Sequence, residues 1–325
     1  MNIAARILAA GLSLVAGAWP AAAQDYPNRV ITMVVPFAAG GPGDTIARVI
    51  AESMRQHLKQ TIIIENVLGA GGTIGTARVA KAAPDGYTIL LGHTGQATSV
   101  SMYRKLPYDP VNDFEKIGLV TDVAMTLVGK AAFPPNTLQE VVAYVREQGD
   151  KVLYAHSGPG SVAHLCGLMF MSVTGTKMTL VPYKGGGQVL NDLLGGHVDF
   201  YCEPATGTTP HITAGGIKGY AVTTKTRLPM LPKVPTTAEA DFPKINITTW
   251  YGLYAPRGTP AVAIDKLVAA LQAALKDPTV VSRFAELSMV PVSQEQATPA
   301  ALDAHLKAEV ANWAAILKEA GFNPE

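Results

Sequence analysis

The chain has 325 residues, of which 48% are hydrophobic and 16% charged, and 26 basic and 25 acidic side chains leave a formal net charge of +1. A length above ~300 residues favours two domains, each with its own core. The balanced charge excludes a nucleic-acid-binding protein, because such a protein needs a basic face for the phosphates.

The first 23 residues have the pattern of a cleaved signal peptide. A short start carrying Arg6 precedes an apolar stretch from Ile7 to Trp19, and the small residues of a cleavage site end at Ala23. The stretch is shorter than the ~20 residues that a membrane-spanning helix needs, although an uncleaved anchor is the alternative. We therefore expect export, with loss of Arg6 leaving 25 basic and 25 acidic side chains.

Strands and helices alternate in the first part of the exported chain. Apolar runs and helical spacing predict, in chain order, a strand over 29–36, a helix over 46–58, a strand over 61–65, a helix over 74–82 and a strand over 88–92. Such alternation predicts a parallel sheet with helices on its faces and with the loops that follow the strands gathered at one edge.

The same pattern returns in the second part of the chain. It predicts strands over 152–155, 178–182, 198–201 and 217–223, with helices over 162–173 and 185–194. After an irregular segment at 224–247 it predicts a buried strand over 250–255 and helices over 260–275, 278–287 and 299–320. The sequence thus predicts two α/β lobes, with the C-terminal helices returning to the first.

Two cysteines, Cys166 in a predicted helix and Cys202 at a strand end, face a compartment that permits disulfides. We expect two buried free thiols, with a disulfide as the alternative, because the sequence does not give the distance between them. Neither belongs to a C-x-x-C pair, and the seven histidines show no metal-ligand spacing. No metal site is expected.

The segment PFAAGGPGDT at 36–45 joins the first strand to the first helix. Its glycines allow the backbone to approach a ligand, and the helix start offers unpaired N–H groups at the positive end of the helix dipole. These features suit an anion, although a tight turn without a ligand is the alternative. The segment matches neither nucleotide-binding glycine motif.

The segment SGPGS at 157–161 repeats this arrangement in the second lobe, so the two loops are expected to face each other across a cleft. A serine hydrolase with Ser157 or Ser161 as nucleophile and His156 or His164 as base is the rival interpretation. Ala155 stands where the first glycine of a G-x-S-x-G nucleophile turn would be, which disfavours that enzyme.

Polar residues also follow two other predicted strands. His93, Thr94 and Gln96 come after the third strand, where they would face the same cleft, or are ordinary loop residues. Asp199 and Glu203 lie near the end of a second-lobe strand, where Asp199 would orient a ligand or bind a loop amide. Because Asp44 and Asp199 belong to different lobes, they make no credible acid–base pair, and we expect no catalysis.

Seven segments in order along the exported chain carry a family resemblance: VPFAAGGPGDTIAR (35–48), IIENVLGAGGTIGTARVAKAAPDGYTILLG (63–92), LPYDPVNDF (106–114), VPYKGGGQVLNDLLGGHVDF (181–200), LPKVPTTAEA (231–240), WYGLYAPRGTP (250–260) and AEVANWAAILKEAGF (308–322). The chain resembles the substrate-binding proteins of the tripartite tricarboxylate transporters, the Bug/TctC family.

The resemblance implies a type II periplasmic binding protein, a two-lobed α/β "Venus flytrap" with the ligand cleft between its lobes. Lobe 1 would comprise 24–124 and 246–325, and lobe 2 would comprise 125–245. Such a protein is no enzyme, carries no cofactor and is expected to be a monomer in the periplasm. It would bind a small di-, tri- or aromatic carboxylate for the membrane subunits of the transporter, or, alternatively, for a two-component sensor.

The family's ligand contacts, carried over residue by residue, complete the expected site. In the family the loop after the first strand holds one carboxylate through backbone groups and waters, and the facing loop and an acid of the V-D-F segment complete the cleft. In this sequence the corresponding residues are Phe37, Ala38, Ala39, Gly40, Gly41, Asp44, Ser157, Gly158, Gly160, Ser161 and Asp199. His93, Thr94 and Gln96 are added from their position after the third strand.

Overall fold

A computed structural model describes residues 26–319, so the predicted signal peptide at 1–23 lies outside the described residues. Ten strands form within this range: β1 (Ile31–Val35), β2 (Ile62–Asn66), β3 (Thr88–His93), β4 (Phe114–Lys130), β5 (Leu153–His156), β6 (Thr179–Pro182), β7 (Phe200–Pro204), β8 (Ile217–Val222), β9 (Thr248–Pro256) and β10 (Val290–Pro291).

Ten α-helices accompany the strands: α1 (Pro42–Leu58), α2 (Thr73–Ala80), α3 (Gly95–Met102), α4 (Leu138–Gln148), α5 (Val162–Thr174), α6 (Gly186–Leu194), α7 (Ala205–Thr213), α8 (Ala261–Ala274), α9 (Pro278–Glu286) and α10 (Pro299–Glu319). Among residues 26–319, no helix combines the length and the apolar character needed to cross a membrane.

The strands join into one curled sheet with two parallel parts. Its order is β2-β1-β3-β9-β4-β7-β5-β6, and β8 and β10 also pair with β4. In the first part β1 pairs in parallel with β2 and β3, and in the second β5 pairs in parallel with β6 and β7. The loops after these strands therefore gather at one edge in each part, as the alternating pattern predicts.

Strand β4 belongs to both parts of the sheet. Residues Phe114–Ala124 pair antiparallel with β9, whereas Met125–Lys130 pair with β7 and β8. A second connection returns from β8 to β9 through the irregular segment 224–247, which the sequence predicts. The change of partner falls between Ala124 and Met125, where the sequence suggests a lobe boundary. The two lobe ranges themselves stay a prediction.

Helices cover both faces of the sheet because neighbouring strand residues point to opposite faces. On one face Met33 of β1 is buried in a cluster with Leu267 of α8. On the other face Val34 lies in a cluster that contains both Leu302 of α10 and Phe170 of α5. This second cluster is continuous through both parts of the molecule.

The structure corrects two sequence-based expectations. Cys166 of α5 and Cys202 of β7 form a disulfide rather than two free thiols, because α5 packs across β7 and brings their Cα atoms to 6.2 Å. Strand β7 begins at Phe200 and not at Val198, so Asp199 precedes the strand and Glu203 lies within it.

Candidate functional site

A cavity of about 40 Å³ lies where the loops after β1 and β5 meet. The cavity is partly open to solvent, so a ligand in the cleft is not confined to this enclosed volume. The lining residues come from both lobes: Phe37, Gly41, Pro42, Gly43, His93, Ser157, Ser161, Val162, Ala163, Gly186, Glu203, Pro204, Thr249 and Tyr251.

Four helices begin at the wall of this cavity. The lining includes Gly43 in the first turn of α1, Ala163 in the first turn of α5, Gly186 at the start of α6 and Pro204 at the N-cap of α7. The first turn of a helix carries unpaired N–H groups and the positive end of the dipole. The cavity thus offers positive potential from both lobes although its lining residues include no lysine or arginine.

The side chain of Asp44 holds the loop after β1 in place. Its Oδ2 accepts the Gly40 N–H at 2.9 Å, Arg48 donates to both carboxylate oxygens at 2.9 and 3.0 Å, and Asn66 Nδ2 donates to Oδ1 at 3.1 Å. Burial raises the pKa of Asp44, but these hydrogen bonds outweigh burial and hold the pKa below its usual value. Asp44 therefore shapes the loop from behind and is itself not among the lining residues.

The facing loop is organised by the start of α5. The Ser161 hydroxyl accepts the His164 N–H at 3.2 Å, and His164 Nδ1 accepts the Gly160 N–H at 3.3 Å. The rings of His164 and His156 stack with centroids 4.5 Å apart, and burial lowers the pKa of His164 to about 4. Since His164 Nδ1 is engaged by the backbone, that nitrogen does not serve as a base for a serine.

His93 contributes a neutral ring to the cavity wall. Its side chain is buried against Phe37, with ring centroids 4.6 Å apart, and burial lowers its pKa to about 4. Nδ1 accepts the Gly95 N–H at 3.0 Å, so the ring proton is carried by Nε2. His93 is thus a hydrogen-bond donor without charge.

One of the lining residues, Glu203, has an acidic side chain. Its exposed fraction is 3%, and the hydroxyl group of Tyr201 donates a hydrogen bond to Oε2. Burial raises the pKa of Glu203 to about 8, and the hydrogen bond from Tyr201 opposes that rise only in part. At neutral pH this carboxyl group is mostly protonated.

Direct contacts hold the two lobes together beside the cavity. The Tyr103 hydroxyl donates to the carbonyl oxygen of Pro159 at 2.9 Å, and the Thr98 hydroxyl donates to that of Gly160 at 3.1 Å. Gly71, with φ +62°, lies so close that an added Cβ atom would overlap the Pro159 carbonyl oxygen. The structure is therefore a closed form.

The structure brings most of the expected site residues to this cleft. Phe37, Gly41, His93, Ser157 and Ser161 line the cavity. The other loop residues lie behind it or beside it, in contact with the opposite lobe or with their own loop: Ala38, Ala39, Gly40, Asp44, Gly158 and Gly160.

Three expected residues lie elsewhere. The Thr94 hydroxyl accepts the Trp250 N–H at 3.0 Å, and Gln96 Nε2 donates to the Pro110 carbonyl, so both serve the packing of lobe 1. Asp199 accepts the Leu153 N–H at 2.8 Å and pairs with Lys130 at 2.6 Å. Because Leu153 is the first residue of β5, Asp199 lies at the edge of the sheet opposite the cleft, which corrects the expectation that it faces a ligand.

Sequence reasoning missed several lining residues and left Glu203 out of the site. The signal for Glu203 was a single acid in the otherwise apolar strand FYCEP, because burial of a carboxyl group costs free energy and so indicates a specific role. Thr249 and Tyr251 share one face of β9, but this strand is buried almost throughout and has no alternating pattern that marks the face. Within residues 26–319 no group of three or more His, Cys, Asp or Glu side chains could hold a metal ion.

Comparisons with known proteins bear on the fold and the family of the chain. The model of the tripartite tricarboxylate transporter family receptor matches residues 46–322. The chain is 46% identical to the periplasmic binding protein BugD, with a TM-score of 0.90 over 92% of this chain and 100% of that one. The expected two-lobed binding-protein fold is thereby confirmed.

Two further solved structures of similar proteins contain organic acids. MatC from Rhodopseudomonas palustris, with bound malate, is 39% identical, with a TM-score of 0.87 over 90% of this chain and 100% of that one. Rpa4515 from R. palustris, with adipate, is 34% identical, with a TM-score of 0.88 over 93% of this chain and 100% of that one.

Proposed function

This chain belongs to the tripartite tricarboxylate transporter receptor family, and we propose that it captures a small organic dicarboxylate in the periplasm for delivery to the membrane subunits of such a transporter. The observation that carries the proposal is the meeting of four helix N-termini, from both lobes, on one cavity without a lysine or arginine in its lining. Main-chain N–H groups at helix starts bind carboxylates without a cationic side chain.

The proposed ligand is a dicarboxylate because the anion-binding groups come in two sets. The start of α1 lies on one side of the cavity, and the starts of α5, α6 and α7 lie on the other. One carboxylate for each side would join the lobes. The similar proteins MatC and Rpa4515, solved with malate and with adipate, support the same class of ligand.

Closure follows from this geometry as a shift of population. A ligand that touches α1 and α5 together gains all its contacts only when the lobes meet, so it favours the closed form. The lobe contacts at Tyr103 and Thr98 add to the same state. The membrane subunits would recognise the surface that the protein presents in this closed form.

Thermal-shift measurements and calorimetry test the proposal on the chain from residue 24 to 325. We expect malate, succinate or adipate to raise the melting temperature, since a ligand at 100 times its Kd adds about 2.7 kcal/mol to stability. Malamide, which lacks the charges of malate, is the control ligand. If no carboxylate changes the melting temperature of folded protein, the proposal is wrong.

A matched pair of variants at Val162 tests the main-chain contact. Val162 is the first residue of α5 and lines the cavity, and proline at this position keeps the helix but removes one N–H. We expect Val162→Pro to weaken malate binding about tenfold or more, the value of a charge-assisted hydrogen bond. Val162→Ala keeps the N–H and loses only part of the hydrophobic contact of the side chain. It should therefore bind malate within about twofold of the unaltered protein.

A further inference from the structure

Building on the proposed function, we propose that Glu203 determines ligand specificity by binding in its protonated form and donating a hydrogen bond from Oε1 to a carboxylate oxygen of the ligand. The site then selects a dicarboxylate over an amino acid or another ligand that presents an ammonium group at this position.

The position of Glu203 gives its two oxygens different surroundings. The hydroxyl group of Tyr201 donates to Oε2, while no protein donor reaches Oε1 within the described part of the chain. Oε1 faces Gly186 at the start of α6, where an added Cβ atom would overlap it, and the carboxyl group also lies beside Gly207 of α7. Glycine at position 186 leaves the space that this side chain needs at the cavity wall.

Among the residues that line the cavity there is no lysine or arginine that would pair with the ionised form of Glu203. The titratable side chains that interact with Glu203 or line the same cavity are three phenols and one neutral imidazole: Tyr201, Tyr154, Tyr251 and His93. Burial is the largest influence on Glu203 and raises its pKa to about 8, which leaves it mostly protonated at neutral pH.

A protonated carboxyl group and an ionised one have opposite effects on an anion. The protonated group donates a charge-assisted O–H···O⁻ hydrogen bond, one of the stronger kinds in proteins. The ionised group would repel a carboxylate in the same small cavity and would favour an ammonium group instead. Because Oε2 already accepts from Tyr201, the proton of the neutral form belongs on Oε1, next to the open cavity.

Calorimetry with L-malate between pH 6 and 10 tests this role. We expect the Kd of the unaltered protein to be constant below about pH 8 and to rise about tenfold per unit above it, with proton uptake on binding in that range. Glu203→Gln keeps a hydrogen-bond donor without a titration, so its Kd should stay within a few-fold and lose the alkaline rise. Glu203→Ala should bind more weakly than the unaltered protein below about pH 8 and should also lose the alkaline rise.

Tyr201→Phe is a second variant, which should shift the alkaline rise in Kd rather than abolish it. Removal of the hydroxyl group takes away the hydrogen bond that lowers the pKa of Glu203, so the alkaline rise in Kd should begin at higher pH. A flat profile of the unaltered protein, or the same alkaline rise in Glu203→Gln, would overturn the role of Glu203. The role would also be overturned if the unaltered protein bound L-aspartate more tightly than L-malate and Glu203→Gln lost that preference.

An infrared measurement separates this inference from the proposed function. At pH 7 the free protein should show the carbonyl band of a protonated carboxyl group, absent from Glu203→Gln and lost on titration to pH 10. If that band is absent, the inference fails whatever the protein binds. If the band is present but neither malate, succinate nor adipate binds the folded protein, then the dicarboxylate function fails, and the donor role that rests on it fails too.

Discussion

The hydroxyl group of Tyr103 in α3 donates a hydrogen bond across the cleft to the main-chain carbonyl oxygen of Pro159, at 2.9 Å. The same hydroxyl lies 3.0 Å from the carbonyl oxygen of Ala70 in its own lobe. One phenol thus connects the glycine-rich turn before α2 to the SGPGS loop of the other lobe. The bond exists only when the lobes meet.

Removing this hydroxyl group should weaken ligand binding without loosening either lobe. We expect Tyr103→Phe to raise the Kd for malate about two- to tenfold, the net value of one hydrogen bond. Tyr87→Phe is the control, because the Tyr87 hydroxyl donates to Asn28 within lobe 1. Calorimetry on both variants decides the matter, and equal effects would contradict a role of Tyr103 in closure.

A methyl group at Gly71 should keep the lobes from closing fully. An added Cβ atom there would overlap the Pro159 carbonyl oxygen, which is main chain and has little freedom to move. We expect Gly71→Ala to raise the Kd for malate more than about tenfold, since a loss of about 1.4 kcal/mol in the free energy of closure is enough for a tenfold change.

X-ray scattering and a matched glycine separate blocked closure from backbone strain. Gly175 has a similar left-handed backbone conformation, with φ +63°, but no atom within 4 Å of its Cβ position, so Gly175→Ala carries comparable strain without a clash. With malate the radius of gyration should fall for Gly175→Ala and stay unchanged for Gly71→Ala. A decrease in both variants would refute the steric argument.

The carboxylate of Asp44 should stabilise the loop after β1 in a pH-dependent way. Its pKa is below the usual value in the folded protein, so its contribution is present above the unfolded-state pKa of about 3.8 and is lost as pH falls through the folded value. We expect Asp44→Asn to lower the free energy of unfolding at pH 7 by about 1 kcal/mol, because half-exposed Arg48 is partly screened by water. That difference should shrink towards pH 3.

Urea unfolding at pH 7, 5 and 3 measures this effect. Asp85→Asn serves as the comparison, since Asp85 pairs with Arg29 at 2.7 Å on the exposed surface, where an ion pair contributes little. A difference between Asp44→Asn and the unaltered protein that is constant over this pH range would mean that the charge of Asp44 has no part in stability.

The disulfide between α5 and β7 should stabilise lobe 2 substantially. The two cysteines are 36 residues apart in sequence, and closing a loop of that size is worth roughly 4 kcal/mol through the unfolded chain. We expect reduction to lower the urea midpoint of the unaltered protein. The double variant Cys166→Ala, Cys202→Ala should unfold at that lower midpoint and should not respond to reductant; an unaltered midpoint after reduction would disprove the effect.

Local patterns in the sequence were enough to predict the two glycine-bearing loops and the helices that follow them. The helical spacing that predicts helices over 46–58 and 162–173 depends on neighbouring residues only, and the structure confirms both helices. Helix α1 begins at Pro42, earlier than the apolar spacing suggests, because proline suits the first turn of a helix.

Features that depend on distant residues were not predictable in the same way. Nothing local in the sequence shows that Cys166 lies over Cys202, since α5 must first pack on β7. The position of Asp199 was predicted wrongly because β7 begins two residues later than expected. Asp199 therefore lies before the strand, at the edge of the sheet away from the cleft, and Glu203 lies at the cleft instead. The role of β4 depends on its two sets of partners, which its apolar sequence does not distinguish.

The continuity of β4 has a consequence for how the lobes separate. A chain that joins two bodies through a flexible linker lets them rotate freely, whereas β4 is hydrogen-bonded along its length to β9 on one side of the boundary and to β7 and β8 on the other. Opening must then twist a paired ribbon near Ala124 and Met125. The hinge is therefore part of the sheet itself, and its hydrogen bonds limit the directions in which the lobes can separate.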